Sequence, residues 1–75
     1  MQENNDKIKK LGEHIKKLRK SKKHTLSSLS YRNGLEPSTI SRIEKGLVEP
    51  KYLTLLRIAE ALEISVSELV NLKED

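Results

Sequence analysis

Seventy-five residues make one small domain, whose core can bury only about 60% of the surface its unfolded chain exposes. With no cysteine, and with His14 and His24 far apart in sequence, the chain offers neither a disulfide framework nor a metal-ligand spacing. Its net charge of +4 is unevenly placed: residues 1–34 carry ten Lys/Arg against three Asp/Glu, and residues 35–75 carry five against eight, so the first half would steer toward a polyanion. The N-terminus is polar and the apolar runs are short. No signal peptide or membrane span is expected, and the chain reads as soluble and cytoplasmic.

Residues 1–6 are polar and read as a flexible tail. Asn5 or Asp6 can cap a first helix whose apolar residues, Ile8, Leu11, Ile15 and Leu18, fall on one stripe. Lys9, Lys10, Lys16, Lys17 and Lys20 lie mostly off it. Gly12 costs such a helix about 1 kcal/mol against alanine, and close approach by another helix is the expected return. Ser21 to His24 form a connection. Thr25 is a good N-cap for a second helix from Leu26 to about Asn33. A turn follows at Asn33-Gly34, where glycine adopts the left-handed conformation without a Cβ penalty. Leu29 and Leu35 flank this turn and Ile40 and Ile43 follow it, so four apolar residues can meet beneath it. Ser30 is small where the two helices must cross closely.

Pro37 suits the first position of a third helix, with Glu36 before it as an acidic cap favoured by the helix dipole. That helix should run to Lys45 and stop at Gly46. Residues 47–50 form a loop. Tyr52, Leu55, Leu56, Ala59 and Leu62 mark a fourth helix. Ser65 and Glu68 have capping-box spacing and open a short fifth helix reaching about Leu72. Residues 73–75 read as a C-terminal tail. No segment alternates as a strand does. Helices this short do not stand alone in water. The expected fold is therefore all-α, a compact five-helix bundle with a helix-turn-helix at about residues 26–45.

In that motif the second of two short helices offers small polar and basic side chains outward, which is how a helix is presented to the DNA major groove. Leu11-Gly12, Ile15-Lys16-Lys17-Leu18-Arg19, Leu29, Gly34, Ser38-Thr39-Ile40-Ser41-Arg42-Ile43-Glu44-Lys45-Gly46, Pro50 and Leu55-Leu56-Arg57-Ile58-Ala59-Glu60-Ala61-Leu62 together make a specific pattern. It resembles the Cro/C1-type (XRE) helix-turn-helix domain of lambdoid phage repressors and small bacterial regulators. The resemblance covers about residues 8–70, and the domain is placed at 7–72. It implies a lambda-repressor-like fold and a sequence-specific transcription regulator of bacterial or phage origin, usually a symmetric dimer. Three positions depart from the family pattern. Leu26 stands where many members have a phosphate-contacting glutamine. Glu63 replaces the glycine or asparagine that usually ends helix four. Lys51 replaces the serine that often follows the loop proline.

If helix three enters the groove, Pro37, Ser38, Thr39, Ser41 and Arg42 read bases while Ile40 and Ile43 face inward. Arg42 is the strongest reader, since a guanidinium can bond both O6 and N7 of guanine, a contact worth roughly 1–3 kcal/mol of discrimination. A phosphate contact or a surface ion pair is its alternative. Thr25, Lys45, Lys51 and Tyr52 are candidate phosphate contacts at helix ends, with a solvated surface charge as the alternative for each lysine. Lys22 and Lys23 add long-range attraction. The resemblance further implies a structural ion pair between Arg19 and Glu44. Leu47, Val48, Ile64, Val66 and Val70 divide between core and a dimer interface. Nothing calls for a cofactor or a metal. An enzyme is not expected, because no nucleophile–base set and no glycine-rich phosphate loop is present. The competing reading is an antitoxin or protein-interaction module using the same bundle, with a toxin or another regulator as partner. A purely protein-binding helix three would carry an apolar stripe where Ser38, Thr39 and Ser41 stand.

Overall fold

A computed structural model describes residues 2–31 and 33–72, and the tail expected at 73–75 lies outside the described residues. The helices are α1 (Gln2–Ser21), α2 (Leu26–Ser30), α3 (Pro37–Glu44), α4 (Tyr52–Leu62) and α5 (Val66–Leu69), with no strand among the described residues. Every helix sends at least one side chain into a single core. Ile15 comes from α1, Leu29 from α2, Ile40 and Ile43 from α3, Ile58, Ala59 and Leu62 from α4, and Leu69 from α5, none more than 2% exposed. Leu11, Leu18, Leu35 and Leu55 pack around this centre half-buried.

Boundaries differ from the sequence expectation in three places. α1 begins at Gln2, so helical backbone replaces most of the tail expected at residues 1–6, and neither Asn5 nor Asp6 is its cap. The segment has no glycine or proline to stop a helix. α2 ends at Ser30, short of Asn33. The Asn33 side-chain amide donates to the Leu29 and Tyr31 carbonyls at 3.0 and 2.8 Å, offering this stretch a closure other than more helix. α5 ends at Leu69 rather than Leu72, since Val70 leaves the helical region at φ −102°. Within α4, Tyr52 is 66% exposed instead of belonging to the apolar stripe. It sits in the first turn, beyond the rim of the core, and Ile58 fills the buried position.

Three helices close in the same way. The amide five residues on bonds back across the end, His24 to Arg19, Leu47 to Arg42 and Ile64 to Ala59, each at 3.0 Å. The intervening residue takes a left-handed conformation: Lys23 at φ 64°, Gly46 at 73° and Glu63 at 61°. This is the Schellman closure, which satisfies carbonyls the helix leaves unpaired. At Gly46 a side chain would also collide with Lys9 of α1. At Gly12 the constraint is helix packing. A Cβ there would overlap the Ile43 carbonyl oxygen and come within 2.8 Å of that of Glu44. α1 thus crosses the C-terminal end of α3 backbone against backbone.

Candidate nucleic-acid interface

The burial of Ile40 and Ile43 fixes how α3 is rotated about its axis. Pro37, Ser38 and Arg42 are consequently exposed, with Thr39 and Ser41 half-buried at the edges of the outward face. Pro37, Ser38, Ser41 and Arg42 stand at helical positions one, two, five and six, which share a face. Among the described residues, the side chains of Ser38, Thr39, Ser41 and Arg42 have no hydrogen-bond or ion-pair partner. The guanidinium of Arg42 therefore keeps its five donors available. Lys45 caps the end of α3 and is exposed.

Arg19 and Glu44 hold this helix from behind. Nε of Arg19 donates to Oε2 of Glu44 at 2.7 Å, and Nη2 donates to Oε1 at 3.0 Å. The third arm, Nη1, donates to the His24 carbonyl at 2.8 Å. Both residues are buried, at 7% and 8% exposure. The hydrogen bond to Glu44 raises the Arg19 pKa further above its ordinary value, against the opposing effect of burial, so the guanidinium stays charged. One side chain thereby ties α1, the end of α3 and the entry to α2 together. Thr25, next in the chain after His24, is placed relative to the outward face of α3 by that bond.

Thr25 itself is in a capping box. Its Oγ1 accepts from the Ser28 amide at 3.0 Å, while Ser28 Oγ accepts from the Thr25 amide at 2.9 Å. The Thr25 hydroxyl proton remains to be donated outward. The role of Ser28 was not visible in the sequence, because the usual signal is a glutamate or glutamine at that position. Nδ1 of His24 lies 2.9 Å from the same Ser28 Oγ. The box expected at Ser65 and Glu68 forms, with Ser65 Oγ accepting from the Glu68 amide at 3.1 Å. Lys51 is the N-cap of α4 without a side-chain bond to the helix, and both it and Tyr52 are exposed. Of the apolar residues divided between core and interface, Leu47 and Val70 are exposed, while Val48, Ile64 and Val66 pack half-buried against the core. Leu53, at 56% exposure, belongs with the exposed set and was not among those expected.

A short helix packed across a tight turn from its neighbour, rigidly held and turned outward with uncommitted polar and basic side chains, defines the helix-turn-helix class. The chain belongs to the helix-turn-helix family of the XRE, or Cro/C1, type, whose profile matches residues 15–69. Among curated relatives it is 35% identical over 66 residues to the HTH-type transcriptional regulator SinR of Bacillus licheniformis, covering 87% of this chain and 60% of that protein. It is 36% identical over 64 residues to the HTH-type transcriptional repressor RghR of Bacillus subtilis, covering 84% of this chain and 47% of that one. The chain thus spans 60% or less of the length of these two relatives. An uncharacterized HTH-type transcriptional regulator of Sinorhizobium fredii is 34% identical over 65 residues, here covering 87% of this chain and 84% of the relative. In three dimensions the chain is similar to the restriction-modification controller protein C.AhdI from Aeromonas hydrophila. The TM-score is 0.79 at 29% identity, over 83% of this chain and 94% of that structure.

Proposed function

We propose that this chain is a sequence-specific double-stranded DNA-binding transcription regulator, a repressor, that lays α3 in the major groove and binds an inverted-repeat operator as a dimer in the cytoplasm. The observation that carries the reading is the outward face of α3, where Ser38, Thr39, Ser41 and Arg42 have no partner among the described residues while Ile40 and Ile43 lock the helix from behind. In this reading Arg42 takes O6 and N7 of a guanine, the three hydroxyls bond neighbouring base edges, and the Pro37 ring touches a thymine methyl or the sugar backbone. Thr25, Lys45, Lys51 and Tyr52 bond phosphates and set the register. Similarity to proteins described as transcriptional regulators, one of them a repressor, supports the regulatory role. The exposed apolar side chains of Leu47, Leu53 and Val70 support docking of a second copy.

Selection of bound duplexes from a random library at moderate salt tests the proposal. The expected result is an inverted repeat, with half-sites about one helical turn apart and a guanine in each half. Salt-sensitive binding with no enriched sequence would overturn it, leaving a basic domain that depends on a protein partner for specificity.

A further inference from the structure

The base-reading end of α3 has no side-chain cap of its own. Glu36 holds the N-cap position in an extended conformation without a side-chain bond to the helix. Pro37 contributes no amide. The chain enters this end through Gly34, at φ 67°. Asn33 fastens the turn to α2 but reaches no further than the Leu29 and Tyr31 carbonyls. The hold from outside comes from α4, where Nη1 of Arg57 donates to the Gly34 carbonyl at 3.3 Å. A Cβ built on Gly34 would stand 3.6 to 3.7 Å from Cζ, Nη1 and Nε of Arg57. Near-equal distances to three atoms of one plane mean that the guanidinium lies face-on against this side of the glycine. Arg57 is also well rooted. The next two residues, Ile58 and Ala59, are buried in the core, so its backbone cannot shift alone.

We propose that Arg57 is a positioning residue for DNA reading. It presses the α2–α3 turn against α4 and so sets the angle at which Pro37, Ser38 and Thr39 enter the groove. This rests on the DNA-binding reading above. A planar, forked side chain is required, because lysine keeps the charge but neither the face nor the fork. Arg57 is exposed, so a direct phosphate contact is the competing role, and salt dependence separates the two.

The experiment compares the unaltered chain with Arg57→Ala and Arg57→Lys. Binding to the selected operator and to a random duplex of equal length is measured over a salt series, and amide hydrogen exchange is followed without DNA. Arg57→Ala is expected to weaken operator binding about fivefold, as loss of one hydrogen bond would, while random-duplex affinity and salt slope hold. Exchange should quicken at Gly34, Leu35 and Ile40 and stay unchanged at Ile15 and Ile58. Arg57→Lys should recover only part of either effect. A slope reduced by about 0.9, with both duplexes weakened alike, would make Arg57 a phosphate contact and overturn the proposal. So would unchanged operator affinity with unchanged exchange. If the unaltered chain does not prefer any duplex, the DNA-binding reading fails, and exchange at residues 34–40 still decides whether Arg57 holds the turn.

Discussion

Arg42 and Lys45 lie three residues apart at the same end of α3, yet they should fail in different ways when removed. Arg42 offers a fork that matches one base, whereas Lys45 offers a point charge at the helix end. Arg42→Ala should cost about 1–3 kcal/mol on an operator with its guanine and much less when that base is changed. Lys45→Ala should weaken all duplexes similarly and lower the salt slope by about 0.9. Titrations on operator and substituted operator, each over a salt series, check both. The outward placement of Arg42 was legible in the sequence because Ile40 and Ile43 on either side of it must face the core. Thr25 was legible as a cap, but its partner Ser28 was not, since serine at that position carries no distinctive signal.

Glu44 answers to a different physics. Removing it leaves the buried Arg19 charge with, among the described residues, only the His24 carbonyl as partner. Glu44→Ala should destabilise the fold by about 3 kcal/mol or more, and in a domain this small that lowers Tm by over about 12 °C. Replacing both partners together, Arg19→Met with Glu44→Leu, should cost much less, because no buried charge is then stranded. A thermal melt that Glu44→Ala leaves unchanged would remove the structural role.

Among the helices, starts were easier to read than ends. Thr25, Pro37 and Ser65 announce α2, α3 and α5 because a first turn needs acceptors for its free amides or a residue without one. Ends are set by which carbonyls find partners. The Asn33 amide reaching back to Leu29 is a three-dimensional fact that no spacing rule foretells, and it shortens α2. Likewise, helix continues to Gln2 since nothing in the polar N-terminal segment forbids it. At Glu63 the sequence announced a departure and the structure shows its form, a non-glycine residue in the left-handed region. That conformation costs an ordinary residue roughly 1 kcal/mol. Glu63 is exposed, so Glu63→Gly should raise Tm by about 5 °C without touching the outward face of α3. Gly12→Ala should do the opposite. Its gain in helix propensity is outweighed by the clash with the Ile43 and Glu44 carbonyls, which backbone on both sides keeps from moving aside.

For the whole molecule, the bundle serves to hold α3 at both ends. Arg19 and the Gly12 crossing fasten its C-terminal end to α1, and the Gly34 turn fastens its N-terminal end to α2 and, through Arg57, to α4. In the proposed function the basic first half of the chain would supply attraction without sequence, and the outward face of α3 would supply discrimination. The five-helix arrangement was readable because each helix carries its own apolar stripe, and in a chain this short one shared core is the sole way to bury them all. The exposure of Leu47, Leu53 and Val70 was only partly readable, since exposure depends on which apolar residues the core has room for.

In the proposed function α3 reads the major groove through Arg42. Methylation interference on the selected operator tests it most directly, since dimethyl sulfate marks guanine N7 in the major groove and adenine N3 in the minor groove. Methylation of one guanine N7 in each half-site should block binding of the unaltered chain and make no difference to Arg42→Ala. Interference confined to adenine N3, or the same guanine pattern with and without Arg42, would contradict the account.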